Sequence, residues 1–245
     1  MKKKLIYTAI FGDTHYLHDP EVISSEYDYI CITDSDQYKS DIWDVKKVTP
    51  LYSHGGLNNR KYKVLPHRFF TNYDTSIYID GDLKITSDLS ILAKQHSNYP
   101  LSVLDHSLCG ITLTGNLNTR NCIYDEANFI KWLGDKHPRK HYKDNIKTIF
   151  SQMERYKIEK YPLKNGLART SVIIRNHNNS EVINVMEDWW LELKHWSKRD
   201  QLSFPYVCWK NDFKYNFIPE DIDSNNWFKL MKKWRTDRNK KLNNG

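Results

Sequence analysis

No stretch of this 245-residue chain comes near eighteen consecutive apolar residues, so a membrane-spanning helix is excluded. Cysteine is scarce and scattered: Cys31, Cys109, Cys122 and Cys208 show no Cys-x-x-Cys spacing. That pattern argues against a zinc site and fits reduced, mostly buried thiols in a cytoplasmic protein. A glycine-rich phosphate loop is missing near the N-terminus. RNP-like, KH-like and zinc-finger patterns are missing too, as are internal repeats, low-complexity blocks and obvious linkers. The start, Met1-Lys2-Lys3-Lys4, resembles the basic region of a secretory signal. Leu5 to Phe11 is nevertheless too short for one, contains Tyr7 and Thr8, and lacks a small-residue cleavage site. It reads as a first strand.

What is abundant points to a packed core. Aromatics make up 13%, with eight Trp and sixteen Tyr, a content that disordered chains lack. The length suits one large domain. Net charge is +7 and the pI about 9.0, so the partner can be anionic. The excess is concentrated in Lys2 to Lys4 and in Lys229 to Lys241, which argues against one continuous basic face for nucleic acid. An anionic membrane and a nucleotide diphosphate qualify as well.

Leu5 to Ile10, Tyr27 to Thr33, Asp44 to Val48, Ser76 to Ile79, Leu101 to Leu104 and Ser171 to Ile174 read as strands. Asn58 to Phe70, Asn121 to Leu133, Asp144 to Tyr156, Ser180 to Trp196 and Arg199 to Trp209 have helical spacing. Uninterrupted apolar strands alternating with helices predict an α/β fold: a single domain with a mostly parallel central sheet flanked by helices. The division expected is a domain over 1–226, with a nucleotide-binding half (1–95) and an acceptor half (96–226). Residues 227–245 would then be a basic, aromatic helix or tail. There Trp227, Leu230, Met231 and Trp234 stand at helical spacing among lysines and arginines. That suits either a peripheral contact with an anionic membrane through 227–241 or a last helix on the domain.

In open sheets of this kind ligands bind beyond the carboxyl ends of the strands, where Asp13, Asp34 and Asp80 fall. The run Thr75 to Ile79 ends in Asp80-Gly81-Asp82. Two carboxylates at a strand end can hold a hard cation such as Mn²⁺ or Mg²⁺, which in turn polarises a diphosphate. Asp34-Ser35-Asp36 is a rival pair, but it sits where such folds meet base or ribose. His177, after a later strand, is a candidate third ligand or a hydrogen-bonded structural residue. Arg60, Lys61 and Lys63 on one helix can meet phosphates or form a solvated face. Arg120, Tyr124 and Glu126 open another helix, with sugar recognition or a surface ion pair as the two readings. Asp200 and Gln201 open an apolar helix, either lining a pocket or simply favouring the helix dipole.

Taken in order, the chain reads Tyr7-Thr-Ala-Ile-Phe-Gly12, Tyr27-Asp-Tyr-Ile-Cys-Ile-Thr-Asp34, Arg60-Lys-Tyr-Lys63 and Asp74-Thr-Ser-Ile-Tyr-Ile-Asp-Gly-Asp82. Arg120-Asn-Cys-Ile-Tyr124, Val172-Ile-Ile-Arg-Asn-His177 and Arg199-Asp-Gln-Leu-Ser-Phe204 follow. This series resembles the glycosyltransferase-like family that includes plant mucilage- and pectin-related proteins, over roughly residues 5 to 210. The resemblance implies a GT-A-like fold and sugar transfer from a nucleotide donor. By position, Phe11, Gly12 and Asp34 would border the nucleotide, Arg60 and Lys63 would face phosphates, and Asp80 would approach metal or diphosphate. His177 matches the family's Arg-x-His, and Asp200 and Gln201 match its Arg-Asp-Gln. Relatives often carry Asp-Gly-Asn or Asp-Gly-Lys where this chain has Asp80-Gly81-Asp82, so a second carboxylate is a departure.

The expected reaction moves a sugar from a nucleotide-diphosphate sugar to a hydroxyl of a glycan or lipid-linked glycan. Mn²⁺ or Mg²⁺ on Asp80 and Asp82, with His177, would neutralise the departing diphosphate. Asp105, His106, Arg120, Tyr124 and Gln201 are the acceptor-side candidates. An inverting reaction needs a general base, for which Asp200 comes first and Glu126 second; a retaining one needs none. A nucleotidyl or phosphosugar transferase and a non-catalytic glycan-binding module are the alternatives.

Overall fold

The computed structural model describes residues 3–12, 14–108, 120–136 and 144–231. Asp13 and Cys109 lie outside the described residues.

Seven strands make the main sheet: β1 (Lys4–Ile10), β2 (Tyr27–Thr33), β3 (Asp44–Lys47), β4 (Thr75–Ile79), β6 (Leu101–Asp105), β7 (Ala168–Arg175) and β8 (Asn216–Ile218). Their order is β3-β2-β1-β4-β7-β6-β8. Every pairing is parallel except the two made by β7, which runs against β4 and β6. The expected α/β fold with a mostly parallel sheet is therefore present.

β1 is buried along nearly its whole length, so both faces of the sheet must be covered. Period-two alternation sorts its side chains. Leu5, Tyr7 and Ala9 face a large cluster that includes Val64, Ile123, Met153, Trp189 and Phe204. Ile6 and Ile10 face a smaller one with Ile77, Ile79, Leu89 and Leu92. The first layer comprises α1 (Gly55–Val64), α2 (Pro66–Phe69), α4 (Ile123–Lys136), α5 (Ile146–Ile158), α6 (Ser180–His195) and α7 (Asp200–Lys210); the second contains α3 (Leu89–Gln95). Side chains cap four of these helices: His54 accepts from Gly56 N, Asp88 from Ser90 N, Asn145 from Lys147 N, and Asn179 from Glu181 N. The expected helix over 58–70 is split because Pro66 supplies no amide and starts a second, short helix.

The C-terminal expectation is corrected. Phe228–Leu230 is a strand, β9, paired antiparallel with β5 (Leu83–Ile85) directly after the Asp80-Gly81-Asp82 turn. A free strand edge offers more hydrogen bonds here than an isolated amphipathic turn would gain, and Asn225 Oδ1 shapes the approach by accepting from Trp227 N and Phe228 N. Phe228 is buried against the smaller cluster. A membrane-lying helix therefore does not begin at residue 227; Trp234 lies outside the described residues. No helix among the described residues is long and apolar enough to cross a membrane.

Candidate active site

The chain leaves β1 outward to β2 and β3, then returns to β4 on the other side of β1. Connections diverge there, opening a crevice at the strands' carboxyl ends. Phe11 and Gly12 follow β1, Asp34 follows β2 and Asp80 follows β4. Gly12 has a φ of 69°, a left-handed conformation that costs glycine nothing. Its amide donates to both oxygens of Asp34, at 3.1 and 3.2 Å, so Asp34 fixes the loop after β1.

α1 brings Arg60 and Lys63 to the same crevice, one turn apart. Lys63 is almost fully enclosed, its side chain 2% exposed, and its Nζ lies 2.6 Å from Asp200 Oδ2 and 3.4 Å from Asp80 Oδ1. Arg60 Nη2 lies 3.7 Å from the other Asp200 oxygen. The Lys63 ammonium also stands 5.1 Å from the centre of the Tyr78 ring. A third cation, Arg175, holds the main chain beneath it: its guanidinium donates to the Lys63 carbonyl and to the Tyr7 hydroxyl, and that hydroxyl donates to the Lys63 carbonyl at 2.9 Å.

This arrangement separates the two carboxylates electrically. Burial would raise the Asp200 carboxyl, but the Lys63 and Arg60 charges, the Lys63 hydrogen bond and the Arg199 charge outweigh it and hold it well below the ordinary carboxylate range. For Asp80 burial prevails, helped by Asp82 and Asp200, and its carboxyl is raised despite Lys63 and the Tyr78 hydroxyl. Asp200 is thus a locked anion between two cations. Such a group is a weak base, and its position suits it to aim Lys63 and Arg60.

Two residues that pattern reading passed over complete the site. The Tyr78 hydroxyl donates to Asp80 Oδ1 at 2.8 Å, and Asn59 donates to the Ala9 carbonyl and, at 3.4 Å, to Tyr78. Tyr78 reads as one more buried strand aromatic, yet residues 78 and 80 share a side under period-two alternation. That parity was the available signal. Gly81 has its own constraint: a Cβ there would lie 2.9 Å from Ile10 Cγ1 and 3.2 Å from Cδ1. Gly81→Ala is accordingly expected to cost about 1–3 kcal/mol of stability, measured by thermal unfolding. A neutral effect would refute the close-packing account.

Asp82 lies beside His15, Oδ2 to Nε2 at 3.9 Å, and its carbonyl accepts from Met231 N at 2.7 Å. His177 does not join it. β7 is antiparallel to β4, so Ser171 pairs beside Asp80 while Arg175 pairs beside Ser76, and His177 emerges at the opposite end of the sheet. It is buried, with Nε2 3.1 Å from the Phe70 carbonyl; burial, with the Arg175 charge, lowers its ring to about 4. The metal-ligand expectation for His177 is therefore corrected to a structural role.

In the first turn of α4 Glu126, its side chain 4% exposed, is a hub. Arg120 Nε approaches it at 2.6 Å, Arg199 Nη2 at 3.4 Å and His106 Nε2 at 4.0 Å. Arg199 immediately precedes Asp200, so this cluster and the Lys63 cluster meet at the start of α7. Burial lowers the His106 ring although Glu126 opposes this. Asp105 caps a 3-10 turn, His106–Leu108, by accepting from Ser107 N and Oγ. Gln201 is partly exposed in the first turn of α7, its backbone N–H donating to Asp200 Oδ1 at 3.2 Å. Tyr124 is turned away: it is buried, donates to the Tyr161 carbonyl at 3.2 Å and stacks edge-on with Tyr161.

Fold and site together define an open α/β domain with a charged crevice at its topological switch point. The chain belongs to the TOD1/MUCI70 glycosyltransferase-like domain family, whose profile matches residues 2–232. A probable hexosyltransferase of Arabidopsis thaliana, MUCI70, is 28% identical over 186 residues, covering 73% of this chain and 29% of that protein. The chain thus spans under a third of that relative's length. Among solved structures, mouse xyloside xylosyltransferase 1 superposes with a TM-score of 0.45 at 10% identity, covering 89% of this chain and 84% of that one. The bifunctional glycosyltransferase WbbM does so with 0.44 at 10%, covering 89% and 38%. Those two scores record a likeness and nothing more.

Proposed function

We propose that this protein transfers a sugar from a nucleotide-diphosphate sugar to a hydroxyl of a glycan, free or lipid-linked, in the making of a surface polysaccharide. The observation that carries the reading is the convergence of Asp80 and Asp82 with Lys63 and Arg60 at the strand ends beside the Gly12 loop. Membership of a glycosyltransferase-like family supports it.

The residues fit a cation that arrives with its substrate. Among the described residues no group of three or more His, Cys, Asp or Glu forms a cage for a metal. Asp80 and Asp82 alone offer two carboxylates, the usual protein share of a Mg²⁺ or Mn²⁺ site completed by phosphates and water. Such an ion would neutralise charge developing on the departing diphosphate. The chain's own cations would act alongside: Lys63 and Arg60, aimed by Asp200, would face the phosphates, and Tyr78 would fix the orientation of Asp80. The Gly12 loop and Asp34 would border the nucleoside, and Arg120, His106 and Gln201 the acceptor.

The test is thermal-shift and calorimetric titration with nucleoside diphosphates, with and without Mn²⁺, on the parent chain and Asp80→Ala. Stabilisation that requires both the metal and Asp80 is expected. No response of the folded parent chain to any nucleoside diphosphate would remove the transferase reading.

A further inference from the structure

The far ends of α5 and α7 form a surface that the proposed chemistry leaves unused. α5 ends at Ile158, and the chain returns to β7 through residues 159–167. Ile158 and Leu163 are 73% and 72% exposed, the most exposed large apolar side chains among the described residues. Trp209, near the end of α7, is 37% exposed and lies edge-on to Tyr161, ring centres 5.5 Å apart. Glu159 fastens the two helix ends by accepting from the Tyr206 hydroxyl and from Lys210 Nζ at 3.1 Å. These contacts join the segment after α5 to the end of α7.

Lysines surround it. Lys157, Lys160, Lys164 and Lys210 are all exposed. Lys157 pairs with Glu154 at 3.5 Å and Lys210 with Glu159. Lys160 and Lys164 have no ion-pair partner among the described residues. Both also adopt positive φ, 64° and 55°, a conformation uncommon outside glycine.

We propose that this surface docks the protein on an anionic membrane. Ile158, Leu163 and Trp209 would enter the boundary between headgroups and acyl chains, and the lysines would meet acidic headgroups. Scattered single apolar residues on a surface need no explanation. Two aliphatic tips nearly three-quarters exposed, flanked by an indole and four lysines, have the composition of an interfacial anchor. A second copy of the chain is a poor occupant, because a two-fold contact would set the same lysines against one another. An acidic protein would satisfy the lysines but would also have to provide a pocket for both aliphatic tips. α7 runs from Asp200 in the crevice to Lys210 on this surface, eleven residues or about 16 Å. If the transfer reading above holds, the surface would hold a lipid-linked acceptor within a helix length of the site.

The experiment is co-sedimentation of the full chain with vesicles of phosphatidylcholine alone and of phosphatidylcholine mixed with phosphatidylglycerol. Binding is expected only with the anionic lipid. The double substitution Ile158→Ser with Leu163→Ser should weaken it about tenfold, with the thermal midpoint unchanged. Lys160→Glu with Lys164→Glu should weaken it comparably. A control variant replaces Lys232, Lys233, Arg235 and Arg238 by Ser. Failure of the parent chain to bind anionic vesicles would overturn the proposal. So would equal binding by the aliphatic double variant, loss of binding only in the control variant, or a concentration-dependent dimer that the aliphatic variant abolishes. Nucleoside-diphosphate titration of the same double variant should match the parent, so failure of docking and failure of the transferase reading are separately visible.

Discussion

Lys63→Met is expected to lower the free energy of unfolding by about 3–5 kcal/mol at neutral pH, the usual consequence of removing one partner from a buried ion pair. The substitution leaves Asp200 with only the more distant Arg60 and takes from Asp80 its nearest cation. Two carboxylates in one crevice cannot both stay ionised without strong compensation. The pH dependence gives the sharper check. In the parent chain Asp200 is held below its ordinary range, so its contribution is fully present above that range and is lost as pH falls through the folded value. In the variant the carboxyls move the other way, above their unfolded values, and their penalty is relieved as pH falls. The gap between the two urea-unfolding curves should therefore narrow on acidification to about pH 4. A gap that stays constant from neutral pH to that point would sink the account. Adding Asp200→Leu should restore most of the lost stability, since an apolar pair can replace a buried ionic one. It should not restore nucleotide binding if Lys63 faces the phosphates as proposed, because that cation is still missing.

The second large effect separates a hub from a base. Glu126→Gln preserves shape but leaves Arg120 and Arg199 without their shared anion. It is expected to cost about 3 kcal/mol of stability and to raise KM for the acceptor, with kcat falling less than about tenfold. Loss of a general base would look different: kcat down by about 10²–10⁴, with KM and the unfolding midpoint unchanged. Steady-state kinetics beside urea unfolding distinguishes the two.

Much of this was legible in the residues. β1, β2 and β4 are apolar, β-branched runs that stop at Gly12, Asp34 and Asp80, and the observed strands lie where those runs do. Asp80, Asp82 and Asp200 could be picked out because charge at a strand end or beginning an apolar helix is conspicuous, and Arg60 and Lys63 because they cluster with Lys61 on one helix. Their pairing could not. Lys63 and Asp200 are far apart in sequence, and only the packing of α1 against α6 and of α6 against α7 brings them together. β5, β8 and β9 have three residues each, too short for alternation to register, so β9 was masked by a helical spacing of aromatics. His177 was misplaced for a topological reason: an apolar run does not say which way its strand points, and β7 is the reversed one. Tyr124 could face either way around its helix, and its burial against Tyr161 came from a loop with no periodicity.

The clasp between β5 and β9 also bears on how the molecule is made. Met231 N holds the Asp82 carbonyl, Trp227 O accepts from Thr86 N, and the side chains of Thr86 and Ser87 donate to the Asn226 carbonyl. During synthesis β1, β2 and β4 emerge early and can pair at once. The turn carrying Asp80 and Asp82 waits for a segment about 145 residues further along. A nascent chain halted before residue 226 would hold the early strands but leave that turn without its late partner. Asp80 and Asp82 would thus take up their final setting only after the described strands of the main sheet have left the ribosome.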